Sequence, residues 1–134
     1  MLPILVALLL TACGEGPSDE HVIDEPATVQ AVRERDVARV ILTERAAERL
    51  DIQTAPAKRD GTGLVVPSAA VLVDPGGDLW VYTNPAPLVF IRHGISIEHE
   101  EGGEAFLSDG PPPGTEVVTV GAAELYGAEF GVGH

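Results

Sequence analysis

The side chains that could do chemistry in this sequence are few, and their spacing limits what they can do. There is one cysteine, Cys13, and the histidines are His21, His93, His99 and His134. A zinc site draws its ligands from short, regular repeats, and these histidines have no such spacing. The stretch "EHEEGGE" (98–104) gathers Glu98, His99, Glu100, Glu101 and Glu104 about one turn. Carboxylates suit a hard divalent cation, but successive strand residues point to opposite faces, so the stretch reads as a solvated acidic turn. Ser68, Ser96 and Ser108 lack the Gly-x-Ser-x-Gly setting of an exposed nucleophile. No glycine-rich loop opens a helix to cradle phosphate. These absences predict a non-catalytic protein with no metal and no cofactor.

Cys13 closes an apolar run, Leu2 to Ala12, broken only by Pro3 and Thr11. At about a dozen residues the run is too short to cross a bilayer, which takes ~20 helical residues. Its length fits the hydrophobic stretch of a secretory leader. Leu10-Thr11-Ala12-Cys13 looks like a bacterial lipobox. The resemblance implies cleavage before Cys13 and a thioether from its sulfur to diacylglycerol. Several acyl chains on one residue anchor durably where a single chain is marginal. Residues 1–12 are then a lipoprotein signal peptide and Cys13 is the lipidation site. With that thiol consumed, no disulfide forms within one chain.

Composition bounds the partners. The chain has 134 residues, one domain's length, and a formal net charge of −13. So acidic a chain is excluded from nucleic-acid binding, which needs clustered Lys and Arg. It is equally unsuited to electrostatic attachment to anionic lipid. Hydrophobic residues make up 45% of the chain, enough for a core. Residues 14–30, "GEGPSDEHVIDEPATVQ", are rich in Gly, Pro and acids and lack an apolar period. That stretch of about 17 residues has a flexible-chain reach of roughly 20–25 Å, and residues 13–36 as a whole read as an acidic flexible tether.

The elements that must position everything else begin near Val37. "VARVILT" (37–43) is rich in β-branched residues and predicts a strand. "TERAAERL" (43–50) predicts a short helix capped by Thr43, with Ala46, Ala47 and Leu50 on its apolar stripe and Arg45 and Arg49 in solvent. "IQTAPAK" (52–58) is extended and "DGTG" (60–63) is a turn. "LVVPSAAVLV" (64–73) bends at Pro67, and "DPGGD" (74–78) turns it into "LWVYT" (79–83). "PLVFIRHGISIEHE" (87–100) and "AFLS" (105–108) flank a Gly-Gly hairpin, and "TEVVTVG" (115–121) is the last clear strand. Six or seven short strands with one short helix predict a mainly β fold, a small antiparallel β-barrel or sandwich over residues 37–134.

"RVILTERAAERLDIQTAPA" (39–57) resembles the opening of the periplasmic adaptor subunits, or membrane fusion proteins, of resistance-nodulation-division efflux pumps. "LVVPSAAVLVDPGGDLWVYT" (64–83) resembles the segment that re-enters the same domain near the family's C-terminus. Its signs are Val66-Pro67 before Ala70-Val71, a Gly turn, then Trp80-Val81-Tyr82. "FIRHGISIE" (90–98) and "LSDGPPPGTEVVTVGAAEL" (107–125) follow in family order. The family nests its domains: the membrane-proximal domain outermost in sequence, then a β-barrel, a lipoyl-like domain and a central α-hairpin. Here "KRDGTG" (58–63) joins the two outer halves directly, and no stretch has the heptads of a helical hairpin. The resemblance therefore implies a lone membrane-proximal domain on a lipid anchor. Its implied partner is an RND-type transporter or its adaptor, without the reach to an outer-membrane channel. Heavy-metal members of the family bind copper or silver through methionine; the single methionine here is Met1, in the leader.

Placement is the cell envelope, facing the periplasm. Gly14 follows Cys13 where inner-membrane lipoproteins commonly carry Asp, which points to the outer membrane, whereas docking onto a pump points to the inner; the sequence leaves both open. Trp80 and Tyr82 share a strand face, with Leu79 and Val81 on the other. Either both faces are core, or Trp80, Tyr82 and Phe90 form an exposed aromatic patch that contacts the partner. The alternative function is a free-standing lipoprotein whose β-domain binds a small ligand or a cell-wall component.

Overall fold

The computed structural model describes residues 25–31 and 37–131. Alternating β-branched runs and Gly/Pro turns form two sheets, antiparallel at every pairing. The larger runs in the order β1 (Ala27–Ala31), β2 (Ala38–Leu42), β8 (Val89–Gly94), β7 (Leu79–Ala86), β11 (Glu116–Val120), β3 (Gln53–Pro56), with β6 (Leu72–Val73) also paired to β7. The smaller runs β4 (Lys58–Asp60), β5 (Gly63–Pro67), β10 (Glu104–Asp109), β9 (Ser96–Glu101). Gly102 and Gly103, at φ +60° and +79°, make the β9–β10 turn, a conformation that side chains with a Cβ resist.

The mainly β, antiparallel class holds. The closed barrel does not form, and the described residues hold eleven strands where six or seven were expected. The excess has a physical cause. Runs that read as single strands each serve two sheets, bending where they cross. One corner is Ala57, between β3 and β4, whose N–H donates to the Thr115 carbonyl at 2.8 Å and whose carbonyl accepts from Gly114 N–H at 2.7 Å. A second is Ile95, between β8 and β9, whose N–H donates to the Leu79 carbonyl at 3.1 Å, and the run 64–73 likewise divides across Ser68–Ala70 into β5 of the smaller sheet and β6 of the larger. β1 and β3 end one path and β4 and β9 the other, so neither sheet closes on itself.

Two further corrections concern boundaries. The tether expected over 13–36 contains β1, which pairs with β2 from Ala27↔Leu42 to Ala31↔Ala38. Four of its five residues are exposed, so pairing rather than burial makes it a strand, and hydrophobic patterning could not reveal it. A second helix, α2 (Ala122–Glu129), follows the last strand. Its sequence carries Gly127, and no side chain caps its start at Gly121, so local signals for it are weak. The expected helix, α1 (Glu44–Arg49), is present. Ala46 N–H donates to Thr43 Oγ1 at 3.1 Å, Ala46 is buried, and Arg45 and Arg49 are in solvent.

The larger sheet is the middle of three layers. On one face Val40, Leu42, Tyr82, Phe90 and Val118 pack against Ala46 of α1 and Ala122 and Leu125 of α2. On the other, Val81 and Val117 meet Val66, Ala105 and Leu107 of the smaller sheet. Period-two alternation sends neighbours such as Val81 and Tyr82 into different cores.

Candidate functional site

The helix-covered face of the larger sheet holds a charge that strand alternation puts there. Val40, Phe90 and Arg92 fall on that face, and the register sets Val40 opposite Phe90 and Arg92 opposite Tyr82. Arg92 is consequently only 4% exposed. Its partner is Glu129, in the last turn of α2. Arg92 Nη2 donates to Glu129 Oε2 at 2.7 Å, and Arg92 Nε donates to both carboxylate oxygens at 2.9 and 3.0 Å. The Tyr82 hydroxyl donates to Glu129 Oε1 at 3.0 Å. The guanidinium carbon also lies 4.1 Å from the centroid of the Trp80 ring and 5.0 Å from that of Phe130. Aromatic faces and a bidentate carboxylate together compensate the desolvated cation.

Trp80 is held in turn by the DPGGD turn. Its Nε1–H donates to Asp74 Oδ2 at 2.9 Å, while Asp74 Oδ1 accepts from Asp78 N–H at 2.8 Å. Gly94 stands opposite Trp80 across β7 and β8, so no side chain contests the indole.

The electrostatics follow from this geometry. The Trp80 hydrogen bond, then the Asp78 N–H, holds the Asp74 carboxyl below its ordinary pKa of 3.8. Burial, and then the Glu129 charge, pushes the Tyr82 phenol above its ordinary 10.0. Burial opposes the Arg92 charge, but the Glu129 hydrogen bonds and charge outweigh it and raise its pKa. Each of these groups moves away from neutrality, the opposite of what acid–base catalysis at neutral pH needs.

The residues singled out in the sequence fare differently. Cys13 lies outside the described residues. Tyr82 is fully buried and Phe90 is 3% exposed, so the aromatic patch does not face solvent; α1 and α2 cover it, and only Trp80 is half-exposed. Around the acidic hairpin His99 stacks on Phe106 with ring centroids 4.3 Å apart, and among the described residues no three His, Cys, Asp or Glu side chains converge as a metal set would. Sequence reasoning missed Arg92 and Glu129. The signal for Arg92 was its parity with Phe90 on an apolar strand; Glu129 gave none, because its helix was not foreseen.

A second feature is an open groove of about 880 Å³ between α1, α2 and the start of β1. Leu42, Ala46, Leu50, Ala123 and Ala128 give it an apolar lining, with Arg49 on the α1 wall and Glu124 on the α2 wall.

The fold and site define a three-layer, mainly β domain whose buried polar network braces a helix. No family model, no curated protein and no solved structure matches this chain.

Proposed function

We propose that this protein is a lipid-anchored, non-catalytic component of a bacterial cell envelope, and that its β-domain, similar to the membrane-proximal domain of efflux adaptors, docks onto a transport complex. One observation carries the reading. In the larger sheet, β2 and β3 from the first adaptor-like stretch (39–57) flank β8, β7 and β11 from the second part of the resemblance, with β2 beside β8 and β3 beside β11. Where the family inserts its other domains, the chain turns back between Asp60 and Gly63 in the β4–β5 hairpin. A two-residue turn closes that loop at less entropic cost than a long insert.

The test is metabolic fatty-acid labelling followed by affinity purification from detergent-solubilised membranes, with mass spectrometry of what co-purifies. Label that is incorporated in the natural protein and lost in Cys13→Ser, with stoichiometric recovery of an inner-membrane transporter, is the expected result. Recovery of the labelled protein alone, from the outer-membrane fraction, would overturn docking and leave a free-standing lipoprotein.

A further inference from the structure

We propose that the outer edge of β1 is a self-association surface, on which a second copy of this chain adds its own β1 antiparallel and joins the two larger sheets into one. Among the described residues nothing pairs with that edge: β1 ends the larger sheet and is bonded on one side, to β2. The phase of the ladder decides which groups the edge offers. Thr43 N–H donates to the Pro26 carbonyl at 3.1 Å, so Pro26 faces β2. The register runs without a shift from Ala27↔Leu42 to Ala31↔Ala38. Thr28 and Gln30 therefore also face β2, while Ala27, Val29 and Ala31 turn their N–H and C=O groups outward. Leu42 agrees with that phase, since its N–H donates away from β1, to the Leu88 carbonyl at 2.9 Å.

The sheet edges are not alike. β4 is three residues long, Lys58, Arg59 and Asp60, all charged and exposed. β9 carries Glu98, Glu100 and Glu101 and two register shifts against β10. β3 ends in Pro56 and slips register against β11 between Val118 and Val120. Charge, shortness, proline and bulges are the devices that keep an edge from pairing. β1, "ATVQA", has no charge, proline or register shift in its five residues, and Val29 at its centre is 44% exposed. The strand is also complementary to itself. A two-fold axis at Val29 sets Val29 opposite Val29, and Ala27 opposite Ala31, of the second copy. These are the outward residues, so every outward group finds a partner, through roughly six main-chain hydrogen bonds. Val29 shares the helix-covered face with its neighbour Val40, and the two Val29 side chains meet on that face. Charge selects the same occupant. A formal net charge of −13 sets two copies against each other, and β1 lets them approach through an uncharged strip. A basic partner would be drawn instead to the acidic edge of β9.

So short an edge makes a small interface, of the class below about 1,200 Å² that forms weak complexes. The test uses the full chain carrying Cys13→Ser, which also removes any disulfide between copies. Sedimentation velocity from micromolar to millimolar concentration is paired with isotope-filtered NMR on a mixture of labelled and unlabelled chains. Monomer should give way to dimer as concentration rises. Nuclear Overhauser contacts between copies should run from Thr28 Hα to Gln30 Hα and between the Val29 methyls. Val29→Lys sets two like charges at the axis and should abolish the dimer, whereas Val29→Thr should keep it. Both variants should melt like the natural sequence in dilute solution, because position 29 is exposed. A monomer at every concentration, a dimer that survives Val29→Lys, or contacts between copies through other strands overturn the proposal. So does slow amide exchange at Ala27, Val29 and Ala31 in the dilute monomer, which would give the edge to another segment of the same chain. Acylation of Cys13 enters none of these outcomes, so the proposal stands or falls apart from the anchor and docking readings.

Discussion

Arg92 and Glu129, 37 residues apart, form a bidentate ion pair with side chains 4% and 3% exposed. The pair ties the last turn of α2 to the centre of the larger sheet. The helix brings little else that is large to that sheet: it is eight residues long, contains Gly127, and buries Ala122 and Leu125. So short a segment is not stable as a helix by itself, and docking decides whether it forms.

Removing one partner of such a pair is worse than removing both. Glu129→Ala strands the Arg92 cation and the Tyr82 hydroxyl, and should destabilise the protein by ~3–5 kcal/mol. The double variant Arg92→Met/Glu129→Leu should recover most of that loss. Urea unfolding of the three proteins checks it; a double variant as unstable as Glu129→Ala contradicts the role assigned to the pair.

The Asp74 carboxyl gives a low-pH signature. Its folded pKa lies below its ordinary 3.8, so its contribution is present above that value and is lost as pH falls through the lower, folded pKa. The natural protein should therefore lose stability faster than Asp74→Asn below about pH 4. The intrinsic fluorescence of Trp80, the single tryptophan, follows the same transition. Parallel acid-unfolding curves would show that the Asp74–Trp80 bond is not coupled to folding.

Tyr82 gives the opposite limb. Its folded pKa is raised above 10.0, so stability is intact below that pH. Above it the unfolded chain ionises first and stability declines. Tyr82→Phe loses its hydrogen bond to Glu129, at ~1–2 kcal/mol, and should shed this tyrosine's share of the alkaline decline. Thermal melts from pH 8 to 11 measure both effects, and an unchanged alkaline slope refutes the assignment.

Gly121 joins β11 to α2 at φ +100°, with Ile52 packed where a Cβ would stand. Gly121→Ala should cost at least ~2 kcal/mol, from backbone strain plus the steric conflict. Adding Ile52→Ala relieves the conflict but not the strain, so a double-mutant cycle should return a favourable coupling. Strict additivity of the two substitutions would place Ile52 away from the conflict.

Much of the domain was legible because its determinants are local. Thr43 caps α1 through an oxygen three residues from its donor, Gly102-Gly103 turns the β9–β10 hairpin, and DPGGD turns β6 into β7. The separation of Trp80 and Tyr82 from Val81 followed from strand parity alone. The burial of Tyr82 and Phe90 was not legible, because parity gives a face without saying what covers it. The covering element is α2, whose alanines and glycine give it no strong pattern. Likewise β1 is a strand only because β2 lies beside it.

The sequence by itself determined the antiparallel, mainly β class, the turns, the capped helix and the two-sided apolar strands, since all of these depend on residues within a few positions of one another. Tertiary structure alone decided that the extended runs change sheets at Ala57, at Ser68–Ala70 and at Ile95, that Arg92 meets Glu129, and that the aromatic face is covered. Each of these is a meeting of segments far apart in sequence. Backbone hydrogen bonding and desolvated charge must be satisfied by whichever segment arrives, and no local pattern names it.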